Sequence, residues 1–589
     1  MVNVRREIRD PPINHMTLQV CQTLCVTSLP DLEESRRTGL LVFWEKLMAA
    51  DPTSTFYQGP AWCMEWYRSY RECFSPFVLL VTSDESLVGI VPLAVENATG
   101  RLVFATDNMA DYRDVVTLPA YRSAVVAEML RIYKLGSFPD TFRLGPTQPE
   151  SRTVAIVAEL TARALKLRTI TRAHACWRFW FSEPTAAMKV AAKESVRRRV
   201  NYYKRQGPVL LQRITDTNSW DAIKDEFFNQ HSLRQLAVGR PISFNEERKR
   251  VFYEALIKKH PQMVHVTVLR AAGRFLAGHY GYLWRDVLYW GASSFDVREE
   301  KHSPGLVHVA LLLQNASAVG LSGMDFTLGT EEFKARFGNS CASLPMVEIY
   351  AKSRSYFIRK LRDRVVTGAR ALVTNGAGAQ KWRAITRLGG HINQEAQQLR
   401  KSGLKNGLAR FTERGLANFT RKNKVLIFMA TPDEVHLSDL TLEPGEIYLC
   451  RTNEIYDLLK CADVSGETAR ELAAAVKSTS ALYQSGRTLH TFLLNDRLAG
   501  WGWSHLPDEP ELLKTLPRIP VSPDAVMISG TFVLPEYRQR QLEQPLLSHI
   551  LRERFDSGAR TAYALCGEAN IGLREALERT GFRPAPVNS

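Results

Sequence analysis

Apolar and polar positions follow the same arrangement three times along this chain. Phe77–Ser83 is an apolar, β-branched run that breaks at Asp84–Glu85–Ser86 and resumes as Leu87–Val88–Gly89–Ile90–Val91. His265–Arg270 turns at Ala271–Ala272–Gly273 into Phe275–Leu276–Ala277–Gly278–His279–Tyr280. Thr491–Leu494 turns at Asn495–Asp496 into Leu498–Ala499–Gly500–Trp501. Each reads as a β-hairpin with a small-plus-glycine step early in its second strand. The three glycines are 189 and 222 residues apart. Such spacings are domain-sized and do not suggest a solenoid.

The neighbours of each hairpin also match. Downstream come a strand, an amphipathic helix and another strand: Asp114–Leu118, Tyr121–Leu135 and Thr141–Leu144 in the first copy. The second copy gives Val287–Ser293, Leu306–Ala318 and Met324–Leu328; the third gives Val526–Leu534, Pro545–Phe555 and Thr561–Leu565. Helical stretches precede the hairpins at Gly59–Arg71, Ser219–Gln230 and Thr468–Tyr483. The order helix, hairpin, strand, helix, strand predicts α/β units with mixed rather than all-parallel sheets.

Length adds the scale. At roughly 100–200 residues per domain, 589 residues suggest three or four domains. With 45% apolar and 23% charged residues the composition is that of a globular protein, not a collagen-like or disordered one. The longest apolar candidate, Leu306–Leu321, is interrupted by His308, Gln314, Asn315 and Ser317, too short and polar to span a bilayer. Met1–Asp10 is charged and lacks the apolar segment of a secretion signal. The nine cysteines are scattered, with only Cys21 and Cys25 close together, so neither a zinc spacing nor a disulfide framework is present and no metal is expected. The expected location is cytoplasmic, with a position peripheral to the inner membrane left open.

Charge changes the picture in one place. Of a net +16, the stretch Ala351–Lys424 holds +15, from 18 basic and three acidic side chains. A concentration of this kind suits an anionic membrane surface or RNA, or else a solvated pair of helices bridging two domains. A smaller cluster, Arg197, Arg198, Arg199, Lys204 and Arg205, is interleaved with Tyr202 and Tyr203. That pattern is found on nucleic-acid surfaces and equally on the outer face of a packed helix. Asn375–Gln380 resembles a fragment of a glycine-rich loop but follows no strand, and is read as a joint between basic helices.

The element order resembles the GNAT acyltransferase fold. Residues of about 35–350 are similar to the CelD-like, Fem-related proteins, in which two GNAT units stand in tandem. The residues carrying this are Phe56–Trp62, Gly89–Leu93 and Asp111–Tyr112–Arg113–Asp114 in the first unit, with Ser303–Pro304–Gly305 and Asp325–Phe337 in the second. The third unit resembles an ordinary GNAT domain at Val533–Arg538, Asn570 and Thr580–Phe582. It departs at Gln541 and Glu543, where the family has glycines that let backbone amides close on a pyrophosphate, and at Leu577, where a tyrosine often protonates the leaving thiolate. A side chain at a glycine position blocks close approach, and a carboxylate at a helix start competes with phosphate. The expected organisation is therefore an extension (1–30), a first unit (31–185), a second (186–350), a basic helical connector (351–424) and a degenerate C-terminal unit (425–589).

The resemblance implies an N-acyltransferase that takes acetyl-CoA, or another acyl-CoA, and acts on a small-molecule or saccharide amine in cellulose or exopolysaccharide production. A Fem-like transferase using aminoacyl-tRNA, and a non-catalytic scaffold at an anionic membrane, are the alternatives. Acyl transfer needs a base, an oxyanion donor and a grip on the pyrophosphate. His279, beside the hairpin glycine, has a ring able to take a proton near neutral pH, though a strand histidine is often simply bonded within its sheet. His231, one helix earlier, is similar. Asp325, within an apolar strand, is a candidate base or amine-orienting carboxylate, or an acceptor of turn amides. Ser303–Pro304–Gly305 reads as N-cap, first-turn proline and close-approach glycine of a helix whose start could hold an anion. Lys334, and in the third unit Arg538, Arg540 and Asn570, complete the candidates for cofactor contact that the resemblance implies; Lys334 could equally be a surface residue.

Overall fold

The structure is a computed structural model that describes residues 21–374 and 425–585, apart from 35–38, 137, 140, 166, 183–184, 437–442, 462–463, 506–523 and 569. The chain divides into two compact units. The first is formed by Met1–Asp225, Phe244–Ser294 and Pro304–Leu372; the second by Glu226–Ser243, Phe295–Ser303 and Val373–Ser589.

The first unit contains two sheets. One is antiparallel, in the order β1 (Gln22–Val26), β2 (Phe74–Ser83), β3 (Ser86–Glu96), β4 (Leu102–Phe104), with β5 (Val116–Thr117) also on β3. The other has eight strands: β6 (Thr141–Leu144), β7 (Arg168–Trp180), β8 (Val209–Ile214), β9 (Val264–Ala271), β10 (Arg274–Trp284), β11 (Val287–Phe295), β12 (Gly323–Leu328) and β13 (Ser340–Tyr350). They are arranged β6-β13-β7-β12-β11-β10-β9-β8, with β11 and β12 parallel. Strand β7 precedes residue 186 in sequence yet lies between β12 and β13, so the two sequence repeats share this sheet.

The second unit has a seven-stranded sheet built from β14 (Val425–Ala430), β15 (Tyr448–Thr452), β16 (Thr488–Leu494), β17 (Arg497–His505), β18 (Ala525–Val533), β19 (Thr561–Gly567) and β20 (Arg583–Pro584). Its order is β15-β16-β17-β18-β19-β14-β20, and β18 and β19 are parallel. Here too a strand from the start of the repeat, β14, lies beside the second strand of the parallel pair. These are the mixed α/β sheets that the order of elements predicts.

The three hairpins match in detail. Their turn residues Asp84–Glu85, Ala272–Gly273 and Asn495–Asp496 all have positive φ, the backbone of a type I′ turn, whose twist suits the strands it joins. A β-bulge then falls at the third residue of each second strand: Val88, Leu276 and Ala499. The glycine that follows, directly or one residue later, admits a close neighbour. At Gly89 a Cβ would stand 2.3 Å from Val125 Cγ2, on the helix Arg122–Leu135 that covers β3.

Helices are placed by their apolar faces. Val309, Ala310, Leu312, Leu313 and Ala316 of the helix Pro304–Ala318 pack on Leu288, Met324 and Phe326 of the parallel pair. In the second unit Leu546, Leu547, Ile550 and Leu551 of Glu543–Asp556 cover Val526 and Ile528 in the same way. The halves of the first unit are tied by polar contacts as well. Arg285, in the turn between β10 and β11, donates to the carbonyls of Met48, Pro52 and Asp51 at the end of the helix Leu40–Ala50, a favourable place for a cation. The helix Ser353–Thr374 follows β13; the rest of the basic stretch, with Asn375–Gln380, lies outside the described residues.

Candidate active site

Strands β11 and β12 are in register only from Val287↔Gly323 to Tyr289↔Asp325. Beyond Asp325 the second strand departs from regular geometry. Its pairing to β7 slips by one residue between Asp325↔Arg178 and Leu328↔Cys176, and Thr327 takes a φ of 57°. A β-branched residue in the left-handed region is costly and persists only where its surroundings fix it; such residues concentrate at functional sites. The fixing contacts are visible. Thr327 N donates to Asp325 Oδ1 at 2.7 Å, and the Thr327 hydroxyl donates to Trp290 O at 3.3 Å across the diverging strands.

Asp325 is the hub. Its Oδ2 accepts from Tyr112 Oη at 2.7 Å and Arg178 Nε at 3.0 Å, and its Oδ1 accepts from Cys176 Sγ at 3.2 Å. The register sets Arg178 opposite Asp325, and β-strand alternation puts Cys176 on the same face. Arg178 extends the network to Gln148 Oε1 at 2.6 Å, and Gln58 Nε2 holds the Tyr112 carbonyl at 2.7 Å. Burial pushes the Cys176 thiol up to about 12, with the Asp325 charge adding to it. Burial lowers the Arg178 guanidinium, but Asp325 outweighs it and the group is held above its ordinary value. Asp325 is 1% exposed and has donors on both oxygens, an arrangement that holds its neighbours in place.

Beside this hub lies Asp111, which the sequence reading singled out only as part of the Asp111–Asp114 string. Burial raises its carboxyl to about 6, against the lowering effects of the Thr327 hydroxyl within hydrogen-bonding reach and of the Lys334 ammonium; Asp325 raises it further and Arg113 opposes that. The residue as a whole is partly exposed. Aromatic rings gather on the same side. Tyr57 feels the charges of both Asp111 and Asp325, and its ring centroid is 5.0 Å from Trp62 and 6.1 Å from Tyr112. Trp62 packs at 4.9 Å on Tyr282, and its buried Nε1 has no hydrogen-bond partner among the described residues.

The remaining candidates are distributed as follows. Lys334 is an interior residue, 4% exposed, whose Nζ donates to Leu328 O and pairs with Glu331 Oε2 at 3.3 Å. It fixes the turn through Gly329 and lends its charge to Asp111. His279 is fully buried, stacked on Trp290 at 4.3 Å, with its Nε2 facing the Gly291 amide at 3.4 Å. Burial, with His308 and Arg213 adding, pushes it well below its ordinary value, so it is a neutral core ring. Asp325 and Lys334 are thus brought together, and no contact joins His279 to them. His231 lies at 8% exposure on the helix Lys224–Ala237, 3.3 Å from Gln235. Ser303 has a φ of 50° and precedes Pro304, with Gly305 in the first helical turn. That helix starts at the edge where β11 ends, the same edge to which Thr327 and Leu328 belong; ligands of parallel strands bind at such edges.

In the second unit the candidates are already engaged. Arg538 pairs with Glu467 at 2.9 Å and lies over Phe532, and Arg540 makes a two-pronged pair with Glu446 at 2.7 Å. Asn570 caps the helix Ile571–Arg579 by accepting from Leu573 N at 3.2 Å. Gln541 occupies its glycine-like position with a φ of 55°, and Leu577 is a core residue.

Residues 191–335 match the family model described as an acetyltransferase (GNAT) domain. Among solved structures, FemX is similar at 10% identity, covering 52% of this chain and 95% of its own, with a TM-score of 0.40. A tandem GNAT protein from the clavulanic acid biosynthesis pathway is similar at 11% identity over 64% of this chain and 96% of its own, with a TM-score of 0.22. An acetyltransferase of the GNAT family from Colwellia psychrerythraea is similar at 10% identity over 56% of this chain and 98% of its own, with a TM-score of 0.30. No curated protein matches the sequence. The family-model match falls on the middle of the chain, over the strands β8–β12 and the helix Pro304–Ala318.

Proposed function

We propose that this chain is an acyl-CoA-dependent N-acyltransferase whose chemistry takes place in the first unit, with Asp111 as the general base. The observation that carries this reading is the Asp111 carboxyl, raised to about 6 by burial and placed beside Thr327, Lys334 and the Asp325 hub. A base with that affinity is ionised at neutral pH and still accepts a proton readily. It takes the proton of the attacking amine as the carbon–nitrogen bond forms. When the carbon–sulfur bond breaks, the Asp111 carboxyl returns the proton to the thiolate, whose pKa of ~8.5 makes that transfer downhill. Asp325 positions Tyr112, Arg178 and the Thr327 backbone around this carboxylate.

The donor in this reading is acetyl-CoA, with its pyrophosphate at the start of the helix Pro304–Ala318, where backbone N–H groups and the helix dipole favour an anion. Arg538, Arg540 and Asn570 take no part, since each is committed to a partner of its own. The acceptor is an amine on a saccharide or a small molecule. A place in cellulose or exopolysaccharide production is the corresponding biological reading.

The test is calorimetric titration of acetyl-CoA into the full chain and into Asp111→Asn, with turnover on a panel of amino sugars. Binding to both, with turnover lost in the variant alone, is expected. A wild-type chain that ignores acetyl-CoA but binds charged tRNA would transfer the reaction to an aminoacyl donor. Binding of neither would leave a scaffold.

A further inference from the structure

The second unit holds a cluster that acyl transfer leaves unused. His490 is on β16, and His549 and Glu553 follow each other at i,i+4 on the helix Glu543–Asp556, a spacing that puts both on one helical face. His490 Nδ1 is 3.4 Å, and His549 Nε2 3.6 Å, from the same oxygen, Glu553 Oε2. All three atoms lie within 4.8 Å of one another. Ligand atoms at about 2.0–2.2 Å from a tetrahedral zinc stand roughly 3.3–3.5 Å apart, so two of these separations already match a coordination edge.

The hydrogen bonding around the cluster points the same way. His490 Nδ1 and His549 Nε2 are buried and have no hydrogen-bond partner among the described residues, and His490 is fully enclosed. Polar atoms in that position ordinarily have one. The other nitrogen of His490 is provided for: Nε2 is 2.7 Å from Ser504 Oγ, which also accepts from Arg554 Nε at 2.8 Å. In the tautomer that donates Nε2–H to Ser504, the Nδ1 lone pair is bare and faces the cluster, as an outer-shell partner arranges for a ligating histidine. Thr452 Oγ1 donates to Glu553 Oε2 at 2.7 Å and holds the carboxylate in place.

We propose that His490, His549 and Glu553 bind one divalent transition-metal ion of the zinc class, with solvent completing the coordination where His549 and Glu553 are partly exposed. Two imidazoles and one carboxylate suit zinc or cobalt better than calcium or magnesium, which take oxygen ligands. The ion would clamp the helix Glu543–Asp556 to β16. The ligands are 59 and four residues apart in sequence, too far for any short metal motif to show.

The experiment uses the full chain, stripped with a chelator and titrated with Co2+. One equivalent should bind with the visible ligand-field bands of a low-coordinate nitrogen and oxygen site, Zn2+ should displace it, and Zn2+ should raise the melting temperature. His549→Ala and Glu553→Gln should each lose the bands and weaken binding at least about 10-fold. Glu553→Gln keeps the shape of the side chain and carries the test if His549→Ala fails to fold. A wild-type chain that binds no Co2+, or one whose bands survive in Glu553→Gln because the cysteines supply them, overturns the proposal.

Discussion

Two carboxylates of the first unit show how surroundings divide the work between like groups. Asp325 has every lone pair directed at a donor, with Arg178 meeting its charge, and so acts as a fixed point. Asp111 is raised to about 6 by burial, with the field of Asp325 adding to it. The sign follows: below that pH the group is protonated and cannot accept from the amine, and above it the group is ionised. Turnover at saturating acetyl-CoA should therefore rise with pH through about 6, and Asp111→Asn should lower kcat by about 10²–10⁴ and remove that inflection. A variant that keeps the inflection would place the base elsewhere. Gly329 is a second single-residue dependence. At its φ of +133° an added Cβ would stand 2.1 Å from Glu331 Oε2 and 2.6 Å from Lys334 Nζ. Gly329→Ala should cost about 1–3 kcal/mol in urea unfolding, and should shift the Asp111 inflection as Lys334 moves; an unchanged midpoint and profile would contradict this.

Between elements, the polar ties are as informative as the apolar ones. Glu65, on the helix Pro60–Ser69, is buried and meets Lys259 at 2.8 Å and Arg68 at 2.5 Å, with His260 at 3.7 Å. It thereby links that helix to the helix Glu247–Lys259. Burial alone would raise its carboxyl, but the His260 and Lys259 hydrogen bonds and the charge of Arg68 prevail and hold it at about 2. A lowered carboxylate stabilises above its unfolded value, here 4.5, and loses that contribution as pH falls towards 2. Lys259 is half in water, so the contribution is on the order of 2 kcal/mol rather than the full value of the shift. Glu65→Gln should lower stability by that amount at pH 7 and flatten its decline between pH 4.5 and 2. Equal pH slopes in the two proteins would remove Glu65 from the account.

For the whole molecule, the question is what the basic stretch meets. Its described portion, the helix Ser353–Thr374, exposes Phe357, Ile358 and Leu361 among basic side chains. Apolar residues set among cations suit an anionic bilayer better than a nucleic acid. Among the described residues no helix is long and apolar enough to cross a membrane. The full chain should co-sediment with phosphatidylglycerol vesicles, release as salt is raised, and bind several-fold more weakly as Phe357→Asp/Leu361→Asp. Retention of full affinity in that double variant, together with a steep salt dependence on RNA, would assign the stretch to phosphates instead.

Periodicity alone determined the three repeats, because strand alternation, helical spacing and turn residues are local properties of the sequence. The hairpins, the helix Pro304–Ala318 and the strand Gly323–Leu328 stand where the pattern of apolar residues put them. The common bulge at Val88, Leu276 and Ala499 explains why a small residue and glycine recur there, although the pattern gave only the residues and not the bulge. Asp325 and Lys334 both lie in the run Asp325–Phe337 that carries the resemblance, and the structure places both within the charge field of Asp111. Asp111 has no role visible in sequence, since its affinity for protons comes from burial, is raised further by Asp325 and is opposed by Lys334, both more than 200 residues away. His279 drew notice as a titratable ring, and only packing against Trp290 makes it a neutral core residue. The placement of β7 between β12 and β13, and of β14 beside β19, was likewise invisible. Which strand pairs with which, and which charges face one another, depend on contacts remote in sequence, and these the tertiary structure alone decided.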